Sequence, residues 1–180
     1  TFDFVVHGDV GYAGRWATNA RPGDLVQLTG PSGSYSPDPA ADAHLMVGDE
    51  SALPAIGASL ERVPEGVPVQ VVALVDDEEC RIELESPGSL EVTWVHRCDS
   101  SDTDELEKAV EALALPGGRV QVFVHGEAAE VRAVRRLLLG ERGVPRDGAS
   151  ISPYWRRNHT DEEWRRIKKA WIEASEADIA

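Results

Sequence analysis

Apolar residues in this chain fall into two alternating patterns. Short, nearly continuous runs at 44–47, 68–75, 90–96, 120–125 and 149–154 are separated by stretches in which apolar positions recur every three or four residues, at 51–62, 102–114, 127–140 and 160–175. A run such as Val69-Gln70-Val71-Val72-Ala73-Leu74-Val75 suits a strand covered on both faces, and helical spacing between such runs marks the connections. The pattern predicts an α/β fold built on a doubly wound, mostly parallel sheet. Thr160 and Glu163 form a capping box before the last helix, and Ser101 or Asp102 caps the helix bearing Leu106, Val110 and Leu113. The stretch 76–89 reads as a connection with room for one short element.

The first 31 residues follow another pattern. Phe2 to Gly8 and Asp24 to Thr29 read as short strands of a small antiparallel sheet or barrel, joined by glycine-bearing turns. Pro31 to Ala41, rich in Pro, Gly and Ser, is the expected boundary. The chain opens on Thr1 inside a predicted strand, so it reads as a portion of something longer.

Composition narrows the partners. A formal net charge of −14 over 180 residues argues against a nucleic-acid backbone as the main partner. No apolar run approaches the roughly 20 residues of a membrane helix. Cys80 and Cys98 lack metal-ligand spacing and a disulfide framework, so a reducing cytoplasm is the expected compartment. One island departs from the acidic average: between Ser150 and Ala170, six bases (Arg156, Arg157, Arg165, Arg166, Lys168, Lys169) face three acids (Asp161, Glu162, Glu163). That island either steers a small anion or is the solvated face of a salt-bridged helix.

Two junctions carry the chemistry. In Val47-Gly48-Asp49-Glu50-Ser51-Ala52-Leu53-Pro54 an apolar strand turns at a glycine and enters a helix, with Ser51 as the expected N-cap and Pro54 in the first turn. The positive helix end there suits a pyrophosphate, although no G-x-G-x-x-G is present and an ordinary capped turn has the same features. Val124-His125-Gly126-Glu127 repeats the arrangement, and both turns belong to the carboxyl edge of the sheet, where ligands bind in such folds. At the end of the third strand, Trp94 and Arg97 serve either an adenosine and its 2′-phosphate or ordinary packing. Tyr154 and Trp155 end the last strand, where a flat ring either stacks on a cofactor or packs on the sheet. The glycine-rich turn from Gly11 to Ala17, with Gly14, Arg15 and Trp16, is a second phosphate candidate or a plain loop. Trp164, Ile167, Trp171 and Ile172 are the buried stripe of the last helix. No residue pairs as nucleophile and base, so no catalytic side chain is expected and any chemistry comes from a cofactor.

Several segments together resemble the siderophore-interacting proteins, flavin-dependent ferric-siderophore reductases of the ferredoxin reductase-like superfamily. They are His7-Gly8 with Gly11, Ala13, Trp16 and Ala17; Pro22-Gly23-Asp24; Gly30-Pro31; Gly48-Asp49-Glu50 with Ala52-Leu53-Pro54-Ala55-Ile56; Trp94-Val95-His96-Arg97; His125-Gly126-Glu127; and Tyr154-Trp155-Arg156 with Thr160-Asp161-Glu162. The resemblance implies a remnant of an FAD-binding β-barrel over 1–36 and an NAD(P)H-binding α/β domain over 37–180. It implies an enzyme that uses NAD(P)H and FAD to reduce a ferric siderophore and release iron in the cytoplasm. Carried over by position, FAD falls to His7, Gly11, Ala13, Gly14, Trp16, Ala17, Tyr154 and Trp155. NAD(P)H falls to Gly48, Asp49, Glu50, Ser51, Ala52, Leu53, Trp94, Arg97, Gly126 and Glu127. Arg156, Arg157, Lys168 and Lys169 are the expected siderophore contacts. Tyr12 replaces a proline usual in the family, Asn158-His159 stand where a glycine commonly follows Y-W-R, and the flavin-ring motif R-x-Y-T is expected upstream of Thr1. The alternatives are a diaphorase serving another acceptor such as a ferredoxin, and a nucleotide- or siderophore-binding module without flavin chemistry.

Overall fold

The computed structural model describes residues 4, 12–28, 35–97 and 104–179. The chain divides into two compact units, Thr1–Tyr35 and Ser36–Ala180.

In the first unit the regular element among the described residues is a helix, α1 (Tyr12–Asn19), where a glycine-rich turn was expected. Ala13, Arg15 and Ala17 favour a helix strongly enough to carry the single Gly14. Thr18 Oγ1 and Asn19 Nδ2 then donate back to the carbonyls of Gly14 and Arg15, 2.9 and 2.8 Å away. The predicted strand over Asp24 to Thr29 is not formed at Asp24–Leu28, and Leu25 is 96% exposed. A strand persists only where a neighbour accepts its ladder, and none pairs with it among the described residues. Most of the strand expected at Phe2 to Gly8 lies outside the described residues.

The second unit is a five-stranded, wholly parallel sheet in the order β3-β2-β1-β4-β5. Its strands are β1 (Ala43–Asp49), β2 (Pro68–Val75), β3 (Ser89–His96), β4 (Val120–Glu127) and β5 (Ala149–Trp155). All seven residues of the central β1 are buried, which is why its sequence shows no alternation. The connecting helices are α2 (Leu53–Leu60), α3 (Glu105–Ala112) and α4 (Ala128–Arg135), and α5 (Asp161–Glu176) follows β5. α4 runs on as a π-helical turn, Arg136–Glu141, and the 76–89 connection contains a 3₁₀ turn, Glu78–Cys80, capped by Asp77.

Each face of the sheet has its own cover. Leu45 and Val47 of β1 join Val72, Leu74, Val122 and Val124 under α3 and α4, through Leu106, Val110, Val131 and Val134. The opposite parity of β1 faces α2, since a side chain at Gly48 would meet Ile56. At the β5 edge of the sheet α5 docks through Trp164, 2% exposed, whose Nε1 donates to the Tyr154 carbonyl at 3.0 Å. The Thr160–Glu163 capping box is present at the start of α5. The predicted caps of α3, Ser101 and Asp102, lie outside the described residues; its N-cap position is Asp104, which makes no side-chain cap bond. No helix among the described residues is long and apolar enough to cross a membrane.

Candidate functional site

The parallel sheet brings the ends of β1, β4 and β5 to one edge, and a single buried carboxylate joins them. Asp49 Oδ1 accepts the Ser51 N–H at 2.9 Å and the Ser51 hydroxyl at 2.5 Å, while Oδ2 accepts the Glu127 N–H at 2.8 Å and the Trp155 indole Nε1–H at 2.7 Å. Asp49 is fully buried, so these four donors replace water around its charge. Gly126 makes this possible: at φ +146° a Cβ there would stand 2.9 Å from the Asp49 carboxylate. Gly48 has a different role from the tight turn expected of it. A Cβ would fall 2.5 Å from the Ala52 Cβ and 2.6 Å from the His125 carbonyl, so the glycine lets β1, α2 and β4 approach.

The two helix starts at this edge differ in what they offer. Ser51, expected to cap α2, turns its hydroxyl to Asp49 instead; the N-cap is Ala52, which makes no side-chain cap bond, and Pro54 lies in the first turn. α4 is closed by its own residue: the Glu127 carboxylate accepts the N–H groups of Ala129 and Glu130 at 2.6 and 3.3 Å. A phosphate therefore fits the donor set at α2 and not that at α4, where a carboxylate already sits.

Around this edge lies a set of buried charges. Glu130, 2% exposed, accepts a short bond from the Arg157 guanidinium through Oε1, while its buried Oε2 has no hydrogen-bond partner. Burial pushes the Glu130 carboxyl up to about 7, against the pull of Arg97 and Arg157. The Arg157 N–H donates to Glu127 Oε1 at 3.1 Å, so both ends of that residue are held by the start of α4. Arg97 Nη1 donates to both Glu50 oxygens at 2.6 and 2.8 Å and to Asp76 at 3.0 Å. Burial lowers the Arg97 pKa, but its bonds and attraction to Glu50 outweigh that and hold it above the ordinary range. Trp94 is half-buried three residues earlier, opposite Ala73 of β2.

On the β4–β5 side three rings meet at tilted angles: His125 lies 4.1 Å from Phe123 and 4.7 Å from Tyr154, centroid to centroid. Burial, with the nearby Lys168 charge, depresses His125 to about 4. Tyr154 is 38% exposed, and burial followed by the Asp49 charge raises its phenol. The basic island is only partly open. Arg165 and Arg166 pair with Asp161 and Glu162 along α5, and Arg157 turns inward to Glu130. Arg156 and Lys168 are half-buried and Lys169 is exposed. Burial also lowers the Lys168 ammonium.

Thus Gly48, Asp49, Glu50, Ser51, Ala52, Leu53, Arg97, Gly126, Glu127 and Trp155 gather at the sheet edge. In the other unit, Ala13, Gly14, Trp16 and Ala17 lie on α1, whose first turn carries no acid, and the Trp16 ring packs 5.8 Å from Phe4. His7 and Gly11 lie outside the described residues. Sequence reasoning missed Glu130 and Asp76. The signal for Glu130 was an acid one helical turn after Glu127, and for Asp76 an acid directly after an apolar strand.

Two family models match the chain: Siderophore-interacting protein over residues 41–158, and Siderophore-interacting FAD-binding domain over residues 1–35. An uncharacterized protein of Mycobacterium tuberculosis is 45% identical over 96% of this chain and 65% of its own length. Ferric vibriobactin reductase ViuB of Vibrio cholerae is 38% identical over 90% of the chain and 60% of its own length. The chain thus spans about three fifths to two thirds of these relatives. Among solved structures, the siderophore-interacting protein SipS from Aeromonas hydrophila superposes with a TM-score of 0.80 at 30% identity, covering 94% of this chain and 67% of that one.

Proposed function

The chain belongs to the siderophore-interacting protein family, and from that premise we propose that the full-length protein reduces ferric siderophores with electrons from NAD(P)H by way of FAD, releasing iron in the cytoplasm. The observation that carries this reading is the succession of the two family matches, FAD-binding over 1–35 and siderophore-interacting over 41–158, along one chain. When bound, the two cofactors supply hydride transfer and then single-electron delivery, which iron(III) requires.

The protein's part is binding and orientation. The uncapped start of α2, with Gly48 to Leu53, supports a role in holding the nicotinamide dinucleotide. Gly126 and Glu127 act one step back, by seating Asp49 and capping α4. For FAD, the acid-free first turn of α1 with Gly14 and Arg15 fits a pyrophosphate, and Ala13, Trp16 and Ala17 lie on the same helix. Tyr154 offers an exposed ring to a flat partner, and Trp155 is fixed beside it by Asp49. His7 and Gly11 keep the flavin role that the family pattern gives them.

Arg156, Lys168 and Lys169 are the proposed anchors for an anionic ferric chelate. Arg157 instead holds the turn that carries Arg156, through Glu127 and Glu130.

The test is anaerobic turnover of the full-length protein with NAD(P)H, FAD and a ferric siderophore, with iron(II) trapped by a colorimetric chelator. Iron(II) should appear only with flavin bound, and charge reversal at Arg156, Lys168 and Lys169 should raise KM for an anionic chelate more than it lowers kcat. A protein that takes up no flavin, or yields no iron(II), overturns the reading.

A further inference from the structure

The carboxyl edge of the sheet also carries information on which nicotinamide nucleotide fits, given that a dinucleotide binds there. In doubly wound sheets the phosphates sit on the turn after β1 and the adenosine ribose reaches the end of the neighbouring strand. An acid at that end takes the ribose hydroxyls of NADH, whereas a free cation there accepts the 2′-phosphate of NADPH. Here β2 lies directly beside β1, and the residue that follows its last position, Val75, is Asp76. The Asp76 side chain is 71% exposed.

The cations described at this corner, Arg97 and Arg81, are each paired with carboxylates. Arg97, the sequence candidate for a 2′-phosphate, spends Nη1 on Glu50 and Asp76; its Nη2 makes no hydrogen bond but is buried, 3.9 Å from the Asp49 carboxylate, and the side chain is 19% exposed. Arg81 donates Nε to His96 Nε2 at 3.2 Å and pairs with Glu78 at 3.1 Å. Asp77 is occupied locally, accepting the N–H groups of Glu79 and Cys80. A 2′-phosphate would thus enter beside an exposed carboxylate, and the Arg97 guanidinium nitrogen without a hydrogen bond, Nη2, is buried among Asp49, Glu50 and Asp76. A ribose 2′-hydroxyl has only to donate one hydrogen bond.

We propose that Asp76 is the nucleotide-selecting residue of this protein, accepting the adenosine ribose hydroxyls of NADH and repelling the 2′-phosphate of NADPH. This rests on the dinucleotide reading proposed above and goes beyond it by naming the donor.

The test compares adenosine 5′-monophosphate with adenosine 2′,5′-bisphosphate by calorimetry on the full-length protein, alongside kcat/KM for NADH and NADPH. Hydrogen bonds to a charged group predict a preference for the forms without 2′-phosphate of about tenfold to a hundredfold. Asp76→Ser, which keeps Arg97 held by Glu50, should cut that ratio by about tenfold. A wild-type preference for the 2′-phosphorylated forms, or an unchanged ratio in Asp76→Ser, overturns the proposal. If none of the adenosine or nicotinamide probes binds, the dinucleotide reading falls and the proposal with it.

Discussion

Asp49 and Trp155, 106 positions apart in the chain, meet through a 2.7 Å hydrogen bond from the indole Nε1 to a fully buried carboxylate oxygen. The bond fixes the end of β5 against the end of β1 although β4 lies between them in the sheet. Trp155, and Tyr154 beside it, are therefore held by a residue that the sequence marks as a nucleotide contact and not as the anchor of β5.

Every group at bonding distance from Asp49 is a donor, so only a side chain with two acceptor oxygens satisfies them. Asp49→Asn has one acceptor and turns an NH₂ toward two N–H or O–H groups; it should lose about 3 kcal/mol or more in urea unfolding. Trp155→Phe removes one of the four donors and should cost about 1.5 to 3 kcal/mol. Tryptophan fluorescence of Asp49→Asn should show a more solvated indole.

Glycine at 126 is required by both backbone and space. Gly126→Ala puts a Cβ 2.9 Å from the Asp49 carboxylate at φ +146° and should destabilise by more than about 3 kcal/mol. Gly143, at φ +66° with nothing within 4 Å of the Cβ that a substitution would add, is the control: Gly143→Ala should cost about 1 to 2 kcal/mol, from backbone strain alone. Equal losses in thermal denaturation would remove the packing argument.

Two buried groups give opposite pH slopes. His125 is depressed from 6.5 to about 4, so its contribution is full above 6.5 and is lost as pH falls through 4. Glu130 is raised from 4.5 to about 7, so its contribution is full below 4.5 and is lost as pH rises through 7. The stability difference between Glu130→Gln and the wild type should therefore grow by about 3 kcal/mol between pH 4.5 and 7. For His125→Gln the difference should move by a similar amount in the opposite sense between pH 4 and 6.5. Denaturant midpoints measured at half-unit pH steps check both.

The capping box at α5 is local and separable from the site. Thr160→Ala removes the acceptor for the Glu163 N–H and the hydroxyl that donates to Glu163 at 2.9 Å. A loss of about 1 kcal/mol is expected, with nucleotide binding unchanged.

The sequence alone determined the alternation of strand and helix after residue 41, the parallel class of the sheet and the capping box of α5, because each rests on neighbours within a few residues or on apolar runs long enough to bury. It also marked the two turns at the sheet edge and, through their residue pattern, the family. It did not disclose the helix at Tyr12–Asn19, since a glycine among good helix formers reads equally as a turn. Nor did it show that Ser51 serves Asp49 rather than α2, that Glu127 closes its own helix, or that Arg97 and Arg157 pair with Glu50, Asp76 and Glu130. Those outcomes belong to the tertiary structure, because a charge removed from water takes whichever partner folding brings within about 3 Å, and that partner comes from strands far away in the chain.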